Sequence, residues 1–366
     1  MLFGEVFRIG IFNMILFLLL FFFIVLFKME FAKIGFHQDF LSKSKTETVK
    51  GIFIIVVFIN HIQEYYLKTG ADLSAWYDKA FFLPARAVGQ LMVVMFLFYS
   101  GYGVTESIKR KGKEYVKHIP KRRVLGTLVN FDIAVIIFTL VCYLISIKVG
   151  LIQFLLSLIG WSSVGNSNWY IFCITICYAL SYIAYQITER AHGVIMLCLL
   201  VVGYSIFLSF FKGTWWYNTV FAYAAGAVVS EYNELLIDRF RKMYIKYLLV
   251  IGLCFALCLT CYLLFYGPFK SYLEVVGAMV FNVMSVFFAL LVVLVTMKLS
   301  IHNKVLEWLG SNLFPLYIYQ RLPMMVLATL FPSVLVASHP YVFLLLCIGI
   351  TGCIAWGYQF IQIKLR

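Results

Sequence analysis

Charge is what this chain has least of. Only 13% of its 366 residues are Asp, Glu, Lys or Arg, against about 25% in soluble globular domains. With 63% hydrophobic residues and a mean hydropathy of +0.94, that scarcity excludes a water-soluble fold. There is no polar stretch long enough for a separate soluble module, no internal repeat and no low-complexity linker. The nine cysteines form no metal-type spacing and no paired framework, and Cys254, Cys258 and Cys261 fall at helical spacing in an apolar run, where they pack between helices. Short alternating strands of the kind that build a membrane barrel are also missing, which leaves helices as the means of satisfying the backbone in lipid.

Long apolar runs are abundant. Stretches long enough to span a bilayer as helices fall near 8–27, 51–67, 86–106, 124–147, 168–187, 193–211, 215–230, 246–266, 272–298, 311–331 and 340–361. The expected fold is therefore all-α, a polytopic transmembrane helical bundle of about 10–11 spans. The first run is too long for a signal-peptide core and lacks a small-residue cleavage site, so it reads as a retained span. Residues 149–161 are apolar but short, which suits a re-entrant or interfacial segment. Residues 29–49 alternate apolar and charged side chains and predict an amphipathic surface helix. The expected organisation is an extra N-terminal span with its amphipathic segment, 1–49, followed by one membrane domain, 50–366.

The net charge of +14 resides in loops. Loops on one side carry 22 of the 30 Lys and Arg residues, eight of them between Lys109 and Arg123, and loops on the other side carry six. The positive-inside rule then places the N-terminus outside and the C-terminus in the cytoplasm of a cell-membrane protein. Topology accounts for the basic balance without nucleic acid as a partner. Anionic lipid attraction and polyanion binding remain two further uses of the 109–123 loop.

Few ionisable or strongly polar groups lie within spans, and each needs a partner or a wet cavity. His61 is the first. It follows Lys50 by eleven residues, about 1100° and ~16 Å along a helix, so the two side chains share a face, and Glu64 joins the same stripe. An imidazole removed from water favours its neutral, proton-accepting form, which suits a general base; a histidine hydrogen-bonded between helices for packing is the alternative. Arg86 and Gln90 share a face in the third span, Asp132 lies in the fourth, and Arg321 lies mid-span in the tenth. Arg321 fits an oxyanion-stabilising role, with Asp132 or Glu64 orienting His61. An Arg321 to Asp132 ion pair of purely structural purpose fits equally. Trp169 and Trp215 suit an interfacial aromatic belt or a stacking face for a sugar, and Asn168 is a good helix cap.

The motifs read in order carry a family resemblance. Lys50-Gly51 and an apolar run to His61, then Phe98-Tyr99-Ser100-Gly101-Tyr102-Gly103, the basic Lys121-Arg122-Arg123, Asn168-Trp169-Tyr170, Trp215-Trp216-Tyr217-Asn218 before Ala225-Gly226, and Leu306-Glu307-Trp308-Leu309-Gly310 leading to Tyr317-Ile318-Tyr319 resemble the membrane acyltransferase-3 family over about residues 45–361. The resemblance implies ten helices, here spans two to eleven, and transfer of acyl groups, usually acetyl, from acyl-CoA to hydroxyls of surface polysaccharides, lipid-linked sugars or small molecules. The family's usual signature is Arg, ten residues, then His. Lys50 stands in the arginine position, keeping the charge but not the bidentate fork. A second pattern, two arginines separated by two residues, is not reproduced, since Arg122 and Arg123 are adjacent.

These readings converge on an integral-membrane O-acyltransferase with His61, Glu64, Arg321 and Asp132 as catalytic residues. Lys50, Ser100, Gly101, Tyr102, Arg122 and Arg123 are expected at the acyl-CoA site, the small residues of 100–103 admitting a pantetheine arm or serving close helix packing. Arg86, Gln90 and Trp169 are expected at the carbohydrate acceptor. Acetyl-CoA is expected as co-substrate, with no tightly bound cofactor and no metal, and membrane lipids as the remaining partners. The competing class is a transporter or flippase, in which His61, Asp132 and Arg321 would form an intramembrane relay.

Overall fold

The computed structural model describes residue 23 and residues 25–70, 76–267 and 274–364. The expected first span lies outside the described residues except at its C-terminal end. Helix α1 (Lys43–Lys68) starts at Ser42, whose side chain accepts from Lys45 N at 3.4 Å, and stops at Thr69, whose hydroxyl turns back to Tyr65 O at 3.0 Å. At 26 residues it is about 39 Å long, more than a bilayer core requires. Helix α2 (Trp76–Val88) runs through a 3₁₀ turn at Gly89–Val93 into α3 (Val94–Ile119), which a π-helical turn at Pro120–Leu125 joins to α4 (Gly126–Leu144). The short α5 (Leu151–Leu158) precedes α6 (Trp169–Ile187), α7 (Arg190–Ser209) and α8 (Phe221–Lys242). Then come α9 (Tyr244–Tyr266), α10 (Glu274–Lys298), α11 (Lys304–Ser311), α12 (Leu313–Tyr319), α13 (Arg321–Leu330) and α14 (Pro340–Lys364).

Among the described residues, seven helical stretches are long and apolar enough to cross a membrane: 78–144, 169–187, 192–209, 244–266, 274–298, 313–330 and 340–361. The first is a continuous run of 67 residues that contains the expected spans at 86–106 and 124–147. The expected spans at 51–67 and 215–230 lie mainly in α1 and α8, helices that are long enough but more polar. In α1 the polar residues beyond its first two turns include Asn60, His61, Gln63 and Glu64, packed into one stretch. The chain is an all-α, polytopic helical bundle. Helix α9 turns Leu248, Leu249, Leu253, Phe255 and Leu263 outward, a surface that lipid accepts and water does not. The interior is filled by aromatics such as Phe96, Phe98, Phe138, Tyr185, Tyr223 and Phe343.

Two glycine pairs set the closest helix crossings. A Cβ on Gly51 would overlap the Leu306 carbonyl, and one on Gly310 would overlap the Glu47 carbonyl, so α1 and α11 meet backbone to backbone. Gly101 and Gly226 repeat the arrangement between α3 and α8, against the carbonyls of Tyr223 and Phe98. This second crossing carries a buried polar tie as well: Lys109 donates to Glu106 and to the Ser230 carbonyl, both at 2.7 Å, and the Ser230 hydroxyl donates to Glu106 at 2.8 Å.

Three local expectations change. Residues 29–49 are not one amphipathic helix: Met29–Phe31 (β1) pairs antiparallel with Leu299–Ile301 (β2), Met29 opposite Ile301, and helix begins only at Lys43. The backbone amides of Ala32 and His37 bond the Lys298 and Met297 carbonyls at 2.8 Å each, so the end of α10 captures this segment. The basic 109–123 segment is helical rather than a loop, broken at Gly112 (φ 59°). Lys113 donates to the carbonyls of Tyr185 (2.7 Å), Gln186 (3.0 Å) and Thr188 (3.2 Å), a cation on the C-terminal end of α6. Asn168 does not cap α6 through its side chain, which instead donates to the Gly160 carbonyl at 2.8 Å. Segment 149–161 forms the eight-residue α5, about 12 Å long and too short to span.

Candidate active site

The polar stretch of α1 faces a partly open cavity of about 380 Å³. Its lining comes from α1 (Val57, Asn60, His61, Glu64), the 3₁₀ turn (Gly89, Gln90, Met92, Val93), the first residue of α6 (Trp169), Trp215, and the α12 to α13 junction (Tyr317, Arg321). His61, Asn60 and Glu64 share one side of α1 because positions three and four apart are neighbours on a helix. Tyr317 and Arg321 are likewise four apart. The volume lies in the range of pockets that hold small molecules.

Arg321 Nη2 donates to Glu64 Oε2 at 2.5 Å, joining residues 257 positions apart. The pair is half-sheltered rather than sealed, with side-chain exposures of 18% for Arg321 and 39% for Glu64. His61 is 8% exposed, and its ring lies 6.2 Å from that of Tyr317, itself 5.0 Å from Tyr170. His61 Nδ1, the Tyr317 hydroxyl and Arg321 Nε are all buried with no hydrogen-bond partner among the described residues. Leaving a buried polar group unpaired costs about 1–3 kcal/mol. The three atoms belong to residues that line one cavity.

The cavity brings together five of the residues that the sequence singles out: His61, Glu64, Arg321, Gln90 and Trp169. Gln90 is held by two hydrogen bonds, its Oε1 accepting from Asn218 at 2.6 Å and its Nε2 donating to the Trp215 carbonyl at 3.3 Å. It anchors the turn that presents Trp215, half exposed, at the rim. Asp132 does not reach the site: it lies on α4 with Oδ1 buried and unpartnered among the described residues, and the partner of Arg321 is Glu64. Neither carboxylate forms a hydrogen bond with His61 that would orient it. Arg86 is also elsewhere, its guanidinium donating to the amide oxygen of Gln63 when that amide is oriented toward α2. Asn60, Tyr317, Met92 and Val93 join the lining without having been singled out as site residues. Asn60 could have been found as the polar neighbour of His61, but two apolar side chains of a 3₁₀ turn leave no sequence signal.

The residues expected at the donor lie in a second group. Arg123 Nε donates to the Tyr115 hydroxyl at 3.1 Å, and its guanidinium sits 5.8 Å from the Tyr178 ring. Ser100 lies beside Tyr178, which packs edge-on to Tyr223 at 6.2 Å. Arg122 is exposed beside it and Tyr102 is half-buried. Gly101 serves the α3 to α8 crossing, so of its two readings the structure favours close packing over an opening for a ligand. Lys50 lies on α1, next to the crossing residue Gly51 and three turns before His61. Helix α6 links the two groups, with Tyr170 beside the cavity and Tyr178 beside Arg123, eight residues or about 12 Å apart.

Fold and site together define a multi-pass membrane protein with a polar cavity enclosed by its helices. The family model of the acyltransferase-3 acyltransferase domain matches residues 45–357, and the chain belongs to that family. It is a membrane acyltransferase. No curated protein and no solved structure matches the chain.

Proposed function

We propose that the protein is an O-acetyltransferase of the cell membrane, moving acetyl from cytoplasmic acetyl-CoA to a hydroxyl of a surface polysaccharide or lipid-linked sugar. The observation that carries this reading is the cavity in which His61, Tyr317 and the Arg321 to Glu64 pair face Trp169 and Trp215. Aromatic faces beside planar polar groups suit the apolar faces and hydroxyl edges of a sugar ring. In the proposed step the His61 imidazole takes the proton of the acceptor hydroxyl as its oxygen adds to the thioester carbonyl. The new C–O bond forms, the C–S bond breaks, and the imidazolium returns the proton to the departing thiolate, giving an O-acetyl ester and free CoA. Arg321 Nε and the Tyr317 hydroxyl, both without partners among the described residues, supply hydrogen bonds to the carbonyl oxygen as it gains charge.

The donor phosphates are assigned to Arg122 and Arg123, with Lys50 contributing charge and Ser100 and Tyr102 flanking the pantetheine arm. Adenine and phosphates stay at the basic end, and the arm follows the Tyr178 to Tyr170 side of α6 inward. The positive-inside count supports a cytoplasmic basic end, an outer N-terminus and an acceptor arriving from outside. Purified protein given acetyl-CoA and an acceptor glycan should release free thiol and acetylated glycan, whereas a carrier would release neither. His61→Ala should lower transfer by at least about a thousandfold, the scale of losing a general base together with its geometry, with membrane abundance unchanged. Wild-type turnover in that variant would overturn the assignment of His61.

A further inference from the structure

Gln320 is 1% exposed, sits between Tyr317 and Arg321 in sequence, and has its side chain beside that of His61. Its amide is already fixed at one end: Nε2 donates to the Tyr317 carbonyl at 3.0 Å. That bond determines which way the amide faces, because the nitrogen is committed to an acceptor and the oxygen is what remains. Oε1 is buried with no partner among the described residues, and so is His61 Nδ1. Two orphaned atoms of complementary capacity on adjoining side chains are each other's remaining partners. An amide oxygen has only lone pairs to offer, so it can only accept.

We propose that Gln320 is the positioning residue of the site: its Oε1 accepts the Nδ1 proton of His61 and thereby leaves Nε2 as the unprotonated nitrogen that acts as base. This rests on the assignment of His61 above and deepens it, filling the place for which the sequence suggests Glu64 or Asp132. An uncharged orienter has a consequence that a carboxylate would not. It holds the tautomer without adding a negative charge beside the imidazolium, and Glu64 is kept from that role by Arg321. The charged and titratable groups around the ring are Glu64 on its own helix and Tyr317 and Arg321 across the cavity.

The test uses the full-length protein in detergent with acetyl-CoA and an acceptor glycan. Gln320→Leu should lower kcat by about tenfold or more while KM for both substrates stays within about twofold, since loss of the correct tautomer removes catalysis rather than binding. Gln320→Glu keeps the acceptor oxygen and adds a charge that stabilises the imidazolium, so activity should persist with the acidic limb of the kcat/KM profile moved to higher pH. Selective ¹⁵N-histidine labelling of wild type, with His61 assigned by its loss in His61→Gln, should show the proton on Nδ1. Wild-type kcat in Gln320→Leu, an unmoved limb in Gln320→Glu, or a proton on Nε2 would each overturn the proposal. If His61→Ala transfers at the wild-type rate, the assignment of the base has failed instead. If His61→Ala is inactive while Gln320→Leu is not, only the positioning role has failed.

Discussion

At the scale of single residues, the site depends on where hydrogen-bonding capacity is used and where it is left over. Arg321 spends one nitrogen on Glu64 and keeps Nε free, and Gln320 spends its nitrogen on a backbone carbonyl and keeps its oxygen free. Gln90 spends both ends on the 215–218 turn, which it supports from the cavity side. The Glu64 to Arg321 pair is too exposed at Glu64 to count as a fully buried ion pair, so its coupling belongs near the exposed scale. A double-mutant cycle with Glu64→Gln and Arg321→Gln should give a coupling of about 1 kcal/mol in thermal or denaturant unfolding. Both single variants should also lose transfer activity. A coupling indistinguishable from zero would mean the two side chains do not hold one another.

At the scale of elements, motifs that look chemical turn out to be contacts between helices. Lys50-Gly51 and Leu306 to Gly310, more than 250 residues apart in sequence, are the two halves of one crossing, and Phe98 to Gly101 and Ala225-Gly226 are the halves of another. These crossings hold α1 at a fixed height against α11 and α3 against α8, which sets the position of His61 relative to Tyr317. Gly51→Val and Gly101→Val should therefore lower the midpoint of thermal unfolding or the amount of inserted protein, by the few kcal/mol typical of overpacking. Gly103→Ala, where an added Cβ meets nothing within 4 Å, should be nearly neutral by the same measurement. Equal behaviour of Gly101→Val and Gly103→Ala would show that the crossing tolerates separation.

At the scale of the whole molecule, two groups of residues sit at different positions along α6: a basic aromatic cluster around Arg123 and a cavity around His61 lined by aromatics and the Glu64 to Arg321 pair. The proposed reaction assigns the donor to the first and the acceptor to the second. Neutralising Arg122 and Arg123 together to Gln should raise the apparent KM for acetyl-CoA about tenfold or more, the loss of at least one charge-assisted hydrogen bond, while the acceptor KM stays put. An unchanged donor KM in steady-state kinetics would move the donor away from this cluster.

Hydropathy in the sequence was enough to determine the helical class, most of the spans and the conspicuous place of His61, and the ordered motifs carried the resemblance to the family, because each is written locally. An apolar run long enough to span reads as a helix wherever it packs, and an ionisable group within it is conspicuous by cost alone. Pairings were not legible. That Arg321 meets Glu64 and not Asp132, that Gly101 closes a crossing, and that residues 29–31 form a strand against 299–301 all depend on which helix faces which. In lipid, apolar faces are nearly interchangeable as solvent for one another, so hydropathy carries little information about neighbours. Shape and hydrogen bonds choose them, and those exist only once the helices are assembled.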